Sequence, residues 1–152
     1  MSHVKAPVKL VLVGPPDTEQ DRVAIEVLIA ERNLESRVQF LGAVPESQKL
    51  ELYARCAAVL FPPINEECGY VTIEAMHAAK PVITCTDSGG PLEFVLHKCT
   101  GFIVESSEES LAEAISTIAD HPRMAAEMGR AGRAYLEELN ITWPRTVERL
   151  TA

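Results

Sequence analysis

The sequence predicts an α/β fold, a three-layer sandwich around a five-stranded parallel sheet, and three observations carry that prediction. Five short apolar runs, at 8–13, 37–41, 57–61, 81–85 and 100–104, alternate with stretches of helical periodicity. The first run, Val8-Lys9-Leu10-Val11-Leu12-Val13, is apolar on both faces, as a strand covered on both sides needs. Gly14, Gly42 and Pro62 stop the first three runs where a strand must turn into a loop.

The elements follow in order. After Gly14-Pro15-Pro16, Asp17 and Gln20 have capping-box spacing, which predicts a helix to about Arg32. Its inward residues would be Val23, Ala24, Val27, Leu28 and Ala30. Arg37 to Leu41 is the second strand, and Glu46 to Arg55 a short helix with Leu50, Tyr53 and Ala54 on one face. Strand 57–61 leads into the loop 62–69, a helix at about 70–79 and strand 81–85. Asp87-Ser88-Gly89-Gly90-Pro91 is a loop, Glu93 to His97 a short helix, and 100–104 the last strand. Ser106 and Glu109 open a helix with the stripe Leu111, Ala114, Ile115 and Ile118. Pro122 begins another that runs to about Leu139, and Trp143-Pro144 opens a terminal one.

Composition bounds the function. At 152 residues and 47 % apolar, the chain is one folded domain with a real core. A net charge of −8 argues against a nucleic-acid surface, which needs a basic face. No apolar run reaches the ~18–20 residues that cross a bilayer. The start lacks the apolar core of a secretory signal, and the four cysteines show no CxxC spacing. A cytoplasmic protein with reduced thiols is expected. The histidines 3, 77, 97 and 121 have no metal-like spacing, so no metal is expected.

In parallel α/β sheets ligands bind outside the carboxyl ends of strands. The loops at 14–16, 42–45, 62–69 and 86–91 should therefore line one functional edge. The most informative stretch is Asn65 to Met76, with Glu66 on a loop and Glu74 about one turn into a helix. Gly69 sits where bare backbone can approach a ligand, at a helix start whose free N–H groups favour an anion. On spacing alone, both glutamates are equally well explained as solvated residues. Functionally, the two oxygens of Glu74 suit the two hydroxyls of a ribose. Glu66 could hold a sugar hydroxyl or balance positive charge growing at the anomeric carbon, and diphosphate would meet the amides from Gly69 to Val71. His77, three residues after Glu74, reads better as a partly buried helix residue than as a site residue. Asp87-Ser88-Gly89-Gly90-Pro91 matches a serine-protease nucleophile loop locally, but no base and acid in that arrangement accompany it. A turn whose glycines admit a sugar explains it better. Gly14-Pro15-Pro16-Asp17 matches neither a dinucleotide fingerprint nor a P-loop, and a receiver-like domain would want more acids near the first strand.

Taken in order, these pieces resemble the C-terminal domain of family 4 glycosyltransferases, the retaining GT-B enzymes also described as glycosyl transferases group 1. The likeness runs from Val8 to about Leu150. It includes Leu10-Val11-Leu12-Val13-Gly14-Pro15, Phe40-Leu41-Gly42-Ala43-Val44-Pro45 and Leu52-Tyr53-Ala54-Arg55-Cys56-Ala57. The two glutamates with Glu74-Ala75-Met76 follow, then Lys80-Pro81-Val82-Ile83, Ser88 to Glu93, Thr100-Gly101-Phe102 and Met128 to Arg133. Thr142-Trp143 stands where the family has an aromatic-tryptophan element.

The resemblance implies a donor-binding domain for a UDP- or GDP-linked sugar, in an enzyme that transfers a hexosyl group with retention. Glu66 would serve the transferred sugar in the catalytic role and Glu74 the ribose. Backbone at Gly69, Tyr70 and Val71 would meet sugar and phosphate. Main chain near Val44 would read the base, and Gly14, Gly89, Gly90 and Glu93 would line the donor. No cofactor or metal is implied, since the family neutralises the diphosphate with Arg, Lys and helix dipoles. The family's domain opens with a further strand and helix carrying that Arg and Lys, which this chain lacks along with the acceptor domain. By itself the chain is therefore expected not to turn over, and in the full enzyme the acceptor would be met at a membrane face. The extra strand would be central in a Rossmann-like half-sheet. Without it 8–13 must pair directly with 57–61, or a gap or a partner chain fills the slot; the expected order is 2-1-3-4-5, which is flavodoxin-like. Glu67, Cys68, His77 and Ala79 depart from the family's usual residues, glycine being usual at Ala79. The alternative is a non-catalytic α/β binding module, or an inactive stub of a larger enzyme.

Overall fold

The computed structural model describes residues 1–140. The predicted terminal helix at Trp143-Pro144 and the Thr142-Trp143 element lie outside the described residues. The described elements run β1 (Leu10–Val13), α1 (Glu19–Glu31), β2 (Val38–Gly42), α2 (Glu46–Arg55), β3 (Val59–Leu60), α3 (Tyr70–His77), β4 (Val82–Cys85), a 3₁₀ turn (Gly90–Glu93), β5 (Gly101–Val104), α4 (Glu108–Asp120) and α5 (Pro122–Leu139). The alternation of strand and helix is as predicted, and every pairing is parallel.

The single five-stranded sheet is not. The strands form two ladders, β1-β2 and β3-β4-β5, and none joins β1 to β3. The expected order 2-1-3-4-5 fails at its central step for local reasons. β3 is only two residues long, its Val59 and Phe61 amides serve the β4 edge by donating to the carbonyls of Pro81 and Ile83, and Pro62 and Pro63 soon after it offer no N–H to prolong a ladder. β1 is paired to β2 on one edge only, and its side chains alternate, with Val11 and Val13 exposed. Two-sided burial, expected for a central strand, is instead the property of β4, all four of whose residues are buried.

β4 and β5 explain the layers. Successive strand residues point to opposite faces. Ile83 and Phe102 enter one cluster with Ala114 and Ile118 of α4 and Met128 of α5. Val82 and Ile103 enter the other, with Ala75 and Met76 of α3 and Leu136 of α5. A third cluster joins Val4 and Ala6 to Ala112 of α4. Arg37 fastens that N-terminal strap, donating from its two terminal nitrogens to the carbonyls of Val4 and Ala6 at 2.9 Å each.

Several boundaries move by one residue because neighbouring residues are equally good caps. Thr18, not Asp17, caps α1, with Asp21 completing the capping box. Ser107, not Ser106, caps α4 and accepts from the Ser110 amide. The helix expected at Glu93 to His97 is replaced by the 3₁₀ turn that starts three residues earlier, at Gly90, with Pro91 in its first turn. α1 presents the opposite face to that predicted. Val23, Val27 and Leu28 are exposed, while Arg22, Ile25 and Ile29 are half-buried. In α2 the covered positions are Lys49, Leu52 and Tyr53, with Cys56 just past its end, and Leu50 is exposed.

Candidate active site

The loops after β3 and β4 lie at one edge of the three-stranded sheet and close on each other. Glu66 forms an isolated parallel bridge with Gly89. The Asn65 and Glu66 amides donate to the carbonyls of Asp87 and Ser88 at 3.0 and 3.1 Å, and the Gly90 amide donates to the Glu66 carbonyl at 2.7 Å. A Cβ on Gly89 would stand 2.6 Å from the Glu66 carbonyl oxygen, and one on Gly90 2.7 Å from that of Glu67. Gly89 also has φ 73°, open to glycine at little cost. The close approach predicted at these glycines is thus made to the Glu66–Glu67 backbone, and it fixes where Glu66 stands. Glu66 is half-buried, with its Oε1 3.4 Å from the Cys68 amide.

The 62–69 loop delivers the chain into α3. Gly69 is buried at its N-cap with φ 64°, and no side chain caps the helix. The amides of Tyr70 and Val71 make no hydrogen bond among the described residues. They lie in the first turn, at the positive end of the helix dipole. Tyr70 is exposed and Val71 half-buried.

Glu74 lies one turn further. Its Oε1 accepts from Lys49 Nζ at 2.8 Å, and its Oε2 accepts from the Tyr53 hydroxyl at 2.9 Å. Lys49 also reaches Glu46 at 3.1 Å. Burial pushes the Glu74 carboxyl upward, but the bonds from Lys49 and Tyr53 outweigh it and hold the group below its ordinary value. Lys49 is held above its ordinary value by Glu74 and then Glu46. Burial, followed by the Glu74 carboxylate, pushes the Tyr53 phenol up. At neutral pH the trio is therefore an anionic acceptor held by two donors.

Lys49 and Tyr53 were not anticipated beside Glu74. Lysine reads as solvated in a helical pattern. The i, i+3, i+4, i+7 spacing of Lys49, Leu52, Tyr53 and Cys56 was the available signal. Lys80 ties the same helix down, donating to the carbonyls of Ala54 and Cys56 at 2.9 Å each.

The structure brings together Glu66, Gly69, Gly89 and Gly90, with Glu74 on the helix that Gly69 opens. Glu93 ends the 3₁₀ turn and is exposed. Gly14 and Val44 belong to the other ladder. The Gly14 amide donates to the Gly42 carbonyl at 2.9 Å, and no hydrogen bond among the described residues joins either to the Glu66 loop. His77 is exposed. Ser88 is fully buried, its hydroxyl accepting from the Cys85 amide at 3.0 Å, so it presents no nucleophile. A groove of about 400 Å³ between the N-terminal strap and α4, lined by His3, Lys5 and Glu109 among others, contains none of these residues.

The family model described as glycosyl transferases group 1 matches residues 1–135. The chain belongs to this family. Among curated members of the glycosyl transferases, the mouse alpha-1,3/1,6-mannosyltransferase ALG2 is 37 % identical over 123 residues, covering 81 % of this chain and 29 % of that protein. The alpha-maltose-1-phosphate synthase of Mycolicibacterium smegmatis is 33 % identical over 161 residues, covering 97 % and 41 %. The Anabaena HepE chain, solved in complex with UDP and glucose, superposes with a TM-score of 0.83 at 28 % identity, covering 99 % of this chain and 42 % of that one. The sucrose-phosphate synthase of Thermosynechococcus elongatus gives 0.82 at 31 %, covering 94 % and 37 %. This chain therefore spans less than half the length of the relatives it matches, and its fold is the Rossmann-like fold of GT-B glycosyltransferases.

Proposed function

We propose that this chain is the donor-binding part of a retaining glycosyltransferase that takes a hexosyl group from a nucleotide-diphospho-sugar. The observation that carries the reading is the closure of the Glu66 loop on Gly89-Gly90 directly ahead of the uncapped start of α3, with Glu74 one turn in. Uncapped amides at Tyr70 and Val71 suit a diphosphate, and the helix dipole favours the negative charge that grows on it as the sugar departs. Glu74 suits the ribose. Glu66, fixed by its backbone bridge, suits a hydroxyl of the sugar or the positive charge developing at its anomeric carbon. The HepE likeness supports this reading, since that chain holds UDP and glucose.

Titration with UDP and GDP tests it. Binding in the millimolar range, weakened in Glu74→Ala, is expected. No binding at millimolar ligand, with wild type matching Glu74→Ala, would overturn it.

A second reading rests on the exposed Val23, Val27 and Leu28 of α1 and on a β1 edge that no strand covers among the described residues. On that reading the chain is a docking module without turnover, and neither nucleotide binds.

A further inference from the structure

Glu74 does not wait as a free carboxylate. A carboxylate has about four lone-pair sites, two on each oxygen. Lys49 fills one on Oε1 and Tyr53 one on Oε2, from positions one helical turn apart on α2. Among the described residues one site on each oxygen stays open, on a side chain that is still 41 % exposed. Two acceptors on adjacent oxygens match two hydroxyls on adjacent carbons.

The two donors differ in what they add. The Tyr53 phenol is half-buried and packs with the cluster that includes Ala75, Met76 and Val82, so its position is set by the core. It holds the carboxylate plane in one orientation. Lys49 supplies charge. An isolated carboxylate close to a diphosphate would repel it, and the Lys49 ammonium, shared with Glu46, lessens that repulsion. Glu46, on the solvent side, holds Lys49 in place at 3.1 Å.

We propose that Tyr53 and Lys49 are positioning residues that orient Glu74 so that its two open lone pairs accept the vicinal 2′- and 3′-hydroxyls of the donor's ribose. The proposal rests on the reading of Glu74 as the ribose acceptor. It adds that the discrimination between ribose and deoxyribose is set from α2, by residues that do not touch the ligand.

The test measures affinity ratios. UDP and GDP are titrated beside their 2′-deoxy and 3′-deoxy analogues, using wild type, Glu74→Gln, Tyr53→Phe, Lys49→Met and Lys49→Arg. Melting curves confirm that each variant is folded. Wild type should bind each deoxy analogue about tenfold more weakly than the ribonucleotide, and Glu74→Gln should lose that ratio. Tyr53→Phe and Lys49→Met should each cut the ratio to about twofold for at least one hydroxyl, with Lys49→Arg retaining it. Unchanged ratios in both Tyr53→Phe and Lys49→Met, with the ratio lost in Glu74→Gln, would overturn the proposal and leave the ribose reading standing. Equal weakening of ribo and deoxy ligands in those two variants would overturn it too, since only general packing would then be at stake. A wild-type ratio near one, or one kept by Glu74→Gln, would overturn the ribose reading itself.

Discussion

Replacing Ala79 by glycine should make the protein more stable. α3 ends in a Schellman motif: the Lys80 amide donates to the Ala75 carbonyl and the Ala79 amide to the Met76 carbonyl, each at 2.9 Å. That motif requires a left-handed residue, and Ala79 takes it with φ 53°. An alanine there carries about 1–2 kcal/mol of strain between Cβ and the following carbonyl. Glycine removes the strain but loses about 0.4–1 kcal/mol through the greater freedom of its unfolded chain. The balance is a gain of about 0.5–1 kcal/mol. For a domain of this size that raises Tm by roughly 1–4 °C. Thermal melting of Ala79→Gly against wild type reads it directly, with urea melts confirming an unchanged slope. An equal or lower Tm would refute the reasoning, and would mean that the Ala79 methyl contributes more by packing than it costs in strain.

Other expectations follow from single features. Gly129 of α5 packs against the same turn, where a Cβ would stand 2.0 Å from the Ala79 carbonyl oxygen. Gly129→Ala forces backbone from backbone and should cost about 3 kcal/mol in a urea melt. Thr72 is fully buried and its hydroxyl has no partner among the described residues. Thr72→Val keeps the shape and should stabilise by about 1 kcal/mol, read as a higher melting midpoint. The Lys49–Tyr53–Glu74 trio gives a pH dependence. Its carboxyl lies below the ordinary value of 4.5 when folded, so its stabilising contribution is complete above that value. It is lost as pH falls through the lowered folded value. The Tm difference between wild type and Glu74→Gln should therefore be constant from neutral pH down to about the ordinary carboxylate range and shrink below it. A difference that stays constant in acid would contradict the assignment.

The sequence was most legible where one physical rule acts alone. Periodicity placed the strands and helices, and Pro122 marked the start of α5 to the residue. Legibility failed where residues far apart decide. The face of α1 could not be read from its own pattern, because Val23, Val27 and Leu28 form a good stripe that none of the described residues covers. Equally, element order suggests a β1–β3 pairing, but it cannot tell direct pairing from a gap, and among the described residues the facing edges of β1 and β3 carry no ladder. In the candidate site, Glu66, Gly69 and Glu74 were visible from local spacing and motif order. Lys49 was not, because only the packing of α2 on α3 shows that a lysine points inward. The bridge between Glu66 and Gly89 joins positions twenty-three apart in the chain, and no local pattern encodes it.

The proposed donor site is divided between two glutamates, and one measurement separates their parts. Binding of UDP and GDP is compared with that of their hexose conjugates in wild type, Glu66→Ala and Glu74→Ala. Glu74→Ala should weaken the nucleotide and its sugar conjugate by the same factor, on the order of tenfold, because both carry the ribose. Glu66→Ala should weaken only the sugar conjugate. A Glu66→Ala protein that binds nucleotide and conjugate as wild type does, or a Glu74→Ala protein unchanged for both, would contradict the account.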